Sequence, residues 1–279
     1  MMEQSGWRKL LPNILKTLFV ILAMLLMYIP VFIIIYQSFN SDANAIQPLH
    51  FGELTLSNYA EIFTNQKLYR NIIDSLLVSL WSTAISTVLG VFASIGINAL
   101  TGKLKKTLNF LNNIPMLQAE IVTGISIMII FSLLIPLIPQ VFGFWTMLVA
   151  HVLFCTPYVI MMVLPKLEQT DESLIEAAQD LGCSPRKGLF KVIIPSLQTA
   201  IMTGALIAFT LSIDDFVISY FTQGNGFYNF SNYVYNSYTK KNFSAGSYAY
   251  NALLTMVTLG IVMFFSIRSS NKGKKKVTK

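Results

Sequence analysis

The chain has 279 residues, of which 54% are hydrophobic and only 12% are charged, and its mean hydropathy is +0.59. Because soluble domains carry about 25% charged residues, this composition argues against a soluble enzyme or binding module and indicates a chain that folds in a lipid bilayer. The net charge of +7 does not indicate nucleic-acid binding, since the basic residues stand in short clusters between apolar segments. Two cysteines, Cys155 and Cys183, lack the spacing of a disulfide framework or zinc site.

Long apolar runs predict the membrane spans, because a spanning helix needs about 20 mostly apolar residues. The predicted spans are 15–38, 71–99, 114–138, 144–165, 197–221 and 247–268. The first span follows three basic residues, but its apolar run is too long for a signal-peptide core and no small-residue cleavage site follows it. We interpret it as a retained signal anchor.

The distribution of Lys and Arg predicts the orientation, because cytoplasmic loops carry an excess of both. Basic residues cluster at the N-terminus, in the second-to-third and fourth-to-fifth loops, and in the C-terminal tail. The opposite side carries only Lys67, Arg70, Lys240 and Lys241. The predicted fold is therefore an all-α membrane protein, one transmembrane domain over 1–279, with six transmembrane helices and both termini cytoplasmic.

The second predicted span carries small residues four positions apart: Ser82, Ser86, Gly90 and Ser94. Small residues at this spacing form a smooth stripe that another helix can approach closely. The pattern predicts tight helix packing, and it leaves open whether the partner helix belongs to the same chain.

A polar segment over 168–195 separates the fourth and fifth predicted spans and indicates two short helices with a sharp break. Asp171 or Ser173 can cap the first helix. Its apolar residues fall at helical spacing on one stripe: Leu174, Ala177, Ala178 and Leu181. An amphipathic helix lying on lipid headgroups would show the same stripe, so the pattern alone does not separate that interpretation from a docking element.

The break in this segment is predicted at Gly182, which can adopt the left-handed turn that ends a helix. Ser184 can cap the second helix and Pro185 can occupy its first position. Pro195 marks the return to the membrane span. A short segment stiffened in this way can transmit force between proteins.

The order of these residues resembles the coupling-loop signature of permease subunits of ABC importers. Glu-Ala-Ala is followed after three residues by Gly182, and after nine more by Val192-Ile193-Ile194-Pro195. Val192 and Ile194 depart mildly from the Ile and Leu of the signature. The residues assigned by this resemblance to coupling with an ATPase are Glu176, Ala177, Ala178, Asp180, Leu181, Gly182 and Pro195.

The resemblance implies the type-1 ABC importer (MetI-like) fold over about 60–266. It implies that the loop over 168–195 inserts into a cleft on a separate ATPase subunit. ATP and Mg would then be bound by that partner, and this chain would bind no cofactor or metal and would not be an enzyme. The implied location is a prokaryotic plasma or inner membrane.

Three acidic residues within the predicted spans are candidates for a solute path: Glu120, Asp214 and Asp215. A charge inside a bilayer costs roughly 2.5–3.5 kcal/mol by insertion scales, so it usually faces a cavity or a partner. Adjacent helical residues point about 100° apart, so the two aspartates cannot face the same way. Interhelical hydrogen bonds or caps on broken helices are the alternative, and we expect at least one of the three to face the path.

The window from Ser212 to Phe221, followed by Gly224, resembles the spermidine/putrescine permeases of the PotC type, as does Asn251 to Thr255. That resemblance implies polyamine uptake by alternating access. It also implies a PotA-like ATPase dimer, a second PotB-like permease subunit and an extracytoplasmic solute-binding protein. Another small cationic or polar solute is the alternative substrate within the same importer class.

Other classes of protein explain the sequence less well. His50 and His151 lack metal-ligand spacing, and the stretch from Gly96 through Gly102-Lys103 has the wrong length and residue types for a phosphate-binding loop. An ATP-independent secondary transporter or channel would account for six spans and buried acids. It would not account for the predicted coupling loop, and the inverted repeats frequent in such carriers are not visible.

Overall fold

The computed structural model describes residues 4–43, 52–170, 173–180, 182–224, 226–241 and 243–277. Within these ranges the chain is helical and forms no β-strand, and only two isolated bridges occur, Asn40–Leu54 and Gly224–Phe227. This agrees with the predicted all-α class. The described residues divide into two compact units, one within 1–69 and 237–279 and the other within 70–236.

The helices follow one another in this order. They are α1 Gln4–Ser38, α2 Ser57–Thr64, α3 Gln66–Asn98, α4 Gly102–Leu117, α5 Glu120–Ser132, α6 Phe144–Glu168, α7 Ser173–Asp180, α8 Pro185–Gly188, a π-helical turn Leu189–Ile193, α9 Ile194–Ser196, α10 Gln198–Ile213, α11 Val217–Thr222, α12 Phe230–Thr239 and α13 Gly246–Val277.

Three continuous helices in the described ranges are long and apolar enough to cross a membrane: Leu15–Ser38, Gln66–Asn98 and Phe144–Glu168. Two pairs of consecutive helices are sharply bent, and each pair adds one more span if it is counted as a single one. The pairs are Gly102–Leu117 with Glu120–Ser132 and Pro185–Ser196 with Gln198–Ile213. The sixth predicted span, 247–268, falls within α13.

Two predicted spans are not continuous helices. The span over 114–138 is interrupted between α4 and α5, with a bend of 103°. The span over 197–221 is interrupted between α10, which ends at Ile213, and α11, which begins at Val217. Hydropathy measures how long an apolar segment is, and it does not detect a break whose polar groups are satisfied by the rest of the fold.

In the first unit, the short helix α2 connects the ends of α1 and α13. The side-chain amide of Asn58 donates to the carbonyls of Ser38 at 3.2 Å and Asn40 at 2.8 Å, close to the C-terminal end of α1. The carboxylate of Glu61 accepts hydrogen bonds from the Ser244 hydroxyl and the Gly246 N–H, both at 2.8 Å, at the beginning of α13. These bonds satisfy helix-end groups that lack partners within their own helix.

In the second unit, α6 lies at the centre of the core. Val159, which is fully buried, lies between two glycines of neighbouring helices. A Cβ added at Gly90 of α3 would lie 2.6 Å from the Val159 Cγ1, and one added at Gly204 of α10 would lie 3.3 Å from its Cα. Ser82, Ser86 and Ser94 are also fully buried. The predicted small-residue stripe therefore packs within this chain.

Candidate functional site

Helix α7 ends in a hydrogen-bonded left-handed turn at Gly182. Gly182 has φ +81°, its N–H donates to the Gln179 carbonyl at 2.8 Å, and the Cys183 N–H donates to the Ala178 carbonyl at 3.0 Å. This pair of bonds is the Schellman motif, in which a residue without Cβ is favoured. The predicted turn at Gly182 is confirmed.

The other residues of the predicted coupling loop are placed as follows. Glu176, whose side chain is not described, lies in α7, Ala178 is buried, and Ala177 and Asp180 are exposed. Leu181 and Asp171 lie outside the described residues. The expected apolar stripe is therefore only partly covered by this chain, since Ala178 is 8% exposed but Leu174 is 44% exposed.

The second half of the loop begins with Pro185 at the first turn of α8, as predicted. Ser184 occupies the cap position with an extended backbone, but its side chain makes no capping hydrogen bond. The change of direction into α10 is a bend of 68° between Ser196 and Gln198. Pro195 lies exposed in α9, two residues before Leu197, so the bend comes slightly later than the proline signal indicates.

The inner side of the loop belongs to the core of the second unit. Ile193 and Leu197 are buried in the same apolar cluster as Val163 and Leu167 of α6, and Leu189 packs against it. The same cluster extends to Ile218 of α11. Protein interiors are close-packed and transmit displacement, so the loop and α11 are mechanically connected through one core.

The start of the loop is fixed by an ion pair. The Lys105 Nζ of α4 lies 2.9 Å from the Glu168 Oε1 at the end of α6. The same ammonium donates to the Asn98 Oδ1 at the end of α3, at 3.1 Å. One lysine therefore joins the ends of three helices at the residue where the loop begins.

At the opposite end of α10, Asp215 lies in the break before α11. Its Oδ1 accepts the Ile218 N–H at 3.2 Å and its Oδ2 accepts the Ser219 N–H at 2.7 Å. Its main-chain carbonyl accepts the side-chain amide of Asn229 at 2.5 Å. Asp215 is 7% exposed, and its carboxylate satisfies two N–H groups at the start of α11 as a capping side chain does.

Asp214 has a different environment although it is the adjacent residue. It is the C-terminal cap of α10 and is exposed. The two aspartates therefore point in different directions, as predicted, and the break separates an exposed carboxylate from a buried, bonded one.

Aromatic rings follow Asp214 along the chain. The ring centroid of Phe216 lies 5.1 Å from that of Tyr235 and 5.8 Å from that of Tyr220, and the two tyrosine rings are 6.3 Å apart. Tyr220 is 43% exposed and Tyr235 is 47% exposed. These three residues form the aromatic cluster.

Glu120 lies at the other helix break. It is exposed in the first turn of α5, where a carboxylate is stabilised by the helix dipole. One turn later, Gly124 packs against α11: a Cβ there would lie 2.8 Å from the Phe221 ring and 3.5 Å from the Ile218 Cα. The two helices that begin after the breaks, α5 and α11, therefore pack against each other.

His151 also belongs to this region, although its position in the sequence does not indicate it. Its Nε2 lies 3.5 Å from the Asp215 Oδ2, and the residue is 1% exposed. A single histidine in an apolar segment carries no pattern of its own. The available signal was that buried histidines need polar partners, and the serines that serve as partners are far away in sequence.

Comparisons with known proteins agree with this architecture. Residues 86–276 match the family described as "Binding-protein-dependent transport system inner membrane component". The chain is 30% identical over 210 residues to the spermidine/putrescine transport system permease protein PotC of Haemophilus influenzae, covering 75% of this chain and 79% of the relative. It is 30% identical over 249 residues to PotC of Escherichia coli K12, covering 89% and 91%.

Two further relatives and two solved structures complete the comparison. The chain is 26% identical over 275 residues to the PotC homolog of Mycoplasma genitalium, covering 96% of each chain. It is 30% identical over 215 residues to the putrescine permease PotI of Escherichia coli K12, covering 76% of this chain and 75% of the relative. A bacterial ABC transporter that imports alginate superposes with a TM-score of 0.66 at 15% identity, covering 95% and 98%. An amino acid ABC transporter superposes at 0.54 and 16%, covering 76% and 98%.

The solved structures share the fold of an importer permease, while the family match and the curated relatives fix the class of protein. An ATP-independent carrier or channel is therefore excluded. The chain belongs to the family of binding-protein-dependent transport system inner membrane components and is a permease subunit of an ABC importer.

Proposed function

We propose that this permease takes up polyamines, with spermidine and putrescine as the substrate class. The observation that carries the proposal is an exposed carboxylate, Asp214, at a helix break in a chain that is 30% identical to a PotC permease over 249 residues. Polyamines carry several ammonium groups at neutral pH, and an acid facing the path attracts them.

The surroundings of Asp214 support a cationic solute. Aromatic faces attract ammonium groups, with a contribution of about 0.5 kcal/mol at exposed sites and about 2 kcal/mol when the pair is desolvated. Two rings of the aromatic cluster, Phe216 and Tyr220, follow Asp214 by two and six residues along the chain, and both tyrosines of the cluster are exposed. We propose that Asp214 and Glu120 face the path, and that Asp215 holds the break that presents Asp214.

The proposed topology has six transmembrane helices in one domain over 1–279, with both termini cytoplasmic. The basic clusters support this orientation, because all four of them, including the one in the fourth-to-fifth loop, then lie on the same side. The proposed assembly contains a second, PotB-like permease, a PotA-like ATPase dimer and an extracytoplasmic binding protein. ATP and Mg are bound by the ATPase, and this chain holds no cofactor.

The proposed mechanism is alternating access driven through residues 168–195. The exposed outer side of this loop, including Leu174, Ala177 and Phe190, docks on the ATPase. Its inner side is part of the apolar cluster that reaches Ile218 beside the break. Movement of the ATPase on ATP binding would therefore shift α11 and the acids at the break together with the loop.

The substrate is tested by ATPase stimulation in the complete complex, reconstituted in nanodiscs with its cognate binding protein. We expect spermidine and putrescine to stimulate hydrolysis, and an amino acid and an alginate oligosaccharide to leave it unchanged. Stimulation by either control and not by the polyamines would overturn the polyamine assignment while leaving the importer class intact.

The coupling role is tested at two glycines of the same loop. Gly182 has φ +81° and Gly188 has ordinary helical geometry, and a Cβ at either would meet no atom within 4 Å. Gly182→Ala therefore strains only the turn, while Gly188→Ala is the matched control. We expect Gly182→Ala to lower uptake per ATP hydrolysed and Gly182→Asn, which tolerates the left-handed conformation, to retain more of it. Equal coupling in all three variants would contradict the role.

A further inference from the structure

A buried polar cluster around His151 joins the helices on both sides of the α10–α11 break. The Nδ1 of His151 lies 2.7 Å from the Ser212 Oγ in the last turn of α10. Its Nε2 lies 2.9 Å from the Ser219 Oγ in α11 and 3.5 Å from the Asp215 Oδ2. The Ser212 hydroxyl also lies 2.8 Å from the Ser82 Oγ of α3. Four helices, α3, α6, α10 and α11, meet in this cluster.

Both ring nitrogens of His151 have a partner that can adapt to either tautomer. A neutral imidazole donates from one nitrogen and accepts at the other, and a serine hydroxyl can do either. The residue is 1% exposed and Ser212 and Ser219 are 2% and 0% exposed. Because these side chains are shielded from water, removing one of them would leave the others without hydrogen-bond partners. The members of the cluster therefore depend on one another.

The geometry of the cluster fits an interrupted helix. Ser212 and Ser219 are seven residues apart, a distance over which a continuous α-helix rises about 10.5 Å. Here a single imidazole ring reaches both hydroxyls with normal hydrogen-bond distances. The ring can do this because the chain leaves the helical path at Asp214, Asp215 and Phe216.

We propose that His151 is a positioning residue for transport: by bridging Ser212 and Ser219 across the α10–α11 break, it holds Asp214 in the orientation that meets the solute. His151 is buried behind the break and does not touch the solute itself. The inference rests on the proposed path role of Asp214, and it assigns a function to a residue outside both the path and the coupling loop.

The first test is a double-mutant cycle on uptake by the complete reconstituted complex, using His151→Leu and Asp214→Asn. If His151 acts through Asp214, each single variant lowers uptake by roughly tenfold and the double variant is no worse than Asp214→Asn alone, because two residues in one pathway are not additive. Losses that multiply would overturn the proposal. No effect of Asp214→Asn would overturn both this proposal and the path role, whereas a full effect of Asp214→Asn with an inert His151→Leu would overturn only this one.

The second test separates positioning from folding. In the triple variant His151→Leu, Ser212→Ala and Ser219→Ala, no member of the bridge is left buried without a partner, and such replacements can be nearly neutral for stability. We expect this variant to unfold near the wild-type temperature and to retain the low uptake of His151→Leu. Wild-type uptake by a stably folded triple variant would show that the cluster serves only stability.

Rescue by a conservative variant is the third readout. His151→Gln keeps an amide donor and acceptor at this position and should recover part of the uptake that His151→Leu loses. An unfolding temperature restored by glutamine without any recovery of uptake would also contradict the proposal.

Discussion

The two helix breaks of the second unit differ in how the chain supports them. Between α10 and α11, Asp215 accepts two N–H bonds, Asn229 binds its carbonyl, and His151 bridges the two helices. Between α4 and α5, the capping residue Ala119 offers no side-chain hydrogen bond and Glu120 is exposed. Buried polar groups therefore stabilise the break between α10 and α11, whereas the capping residue at the break between α4 and α5 contributes no side-chain hydrogen bond.

This difference separates acids that shape the protein from acids that are available to a solute. Asp215 is engaged by the chain itself, because both of its carboxylate oxygens accept main-chain N–H groups. Asp214 and Glu120 are exposed, one at each break, and α11 packs against α5 at Gly124. The comparison therefore predicts that substitutions at Asp215 lower stability most, and that substitutions at Asp214 and Glu120 lower transport.

The largest effect is expected for Asp215→Ala. This change removes the acceptor of two buried N–H groups and the partner of His151, which should lower the free energy of unfolding by about 2–4 kcal/mol. Thermal unfolding of the purified chain in detergent measures it. Asp214→Ala is the matched control and should stay within about 0.5 kcal/mol of wild type, as exposed substitutions do. Equal losses in the two variants would remove the distinction between the adjacent aspartates.

The next effect is expected where the helices following the two breaks meet. A leucine at Gly124 would overlap the Phe221 ring and press on α11, at a cost of about 1–3 kcal/mol from overpacking. Gly96→Leu in α3 is the control, because a Cβ there meets no atom within 4 Å. The same unfolding assay compares them. If Gly124→Leu were as stable as Gly96→Leu, α5 and α11 would not be closely packed.

A transport effect without a stability effect is expected for Asp214→Asn. The side chain keeps its size but loses its charge, so polyamine uptake should fall roughly tenfold, which corresponds to about 1.4 kcal/mol. Uptake of labelled spermidine into proteoliposomes containing the whole complex provides the measurement. Asp214→Glu, which keeps the charge, should retain most of the uptake, and its failure to do so would point to geometry as the requirement.

The smallest effect is expected for Glu120→Gln. The helix dipole already stabilises the carboxylate at the start of α5, so we expect a loss of about two- to threefold in the same uptake assay. The unfolding temperature should not change. A loss greater than that of Asp214→Asn would reverse the proposed ranking of the two breaks.

Part of this architecture could be predicted from the sequence because it depends on local chemistry. The turn at Gly182 follows from a glycine after a short amphipathic helix, and the packing stripe of α3 follows from small residues four positions apart. Family resemblance in the loop over 168–195 identified the class of transporter, which the comparisons confirm.

The breaks could not be predicted in the same way because they depend on contacts between distant residues. The polar residues near the breaks, Gln118 and Glu120 in one span and Asp214 and Asp215 in the other, are too few to end an apolar run, so hydropathy favours uninterrupted helices. Asp215 acts as a cap only because α11 starts where its carboxylate can reach two N–H groups. His151 finds Ser82, Ser212 and Ser219 only in the folded bundle, and no spacing in the sequence indicates that meeting.

The turn that ends α7 also provides a reporter for assembly. Its final residue, Cys183, is partly exposed, whereas the other cysteine of the chain, Cys155, is fully buried. A thiol-reactive fluorophore should therefore label the wild-type protein at one place, next to the surface proposed to meet the ATPase. Quenching or a spectral shift on addition of that subunit would follow docking in real time without an engineered cysteine.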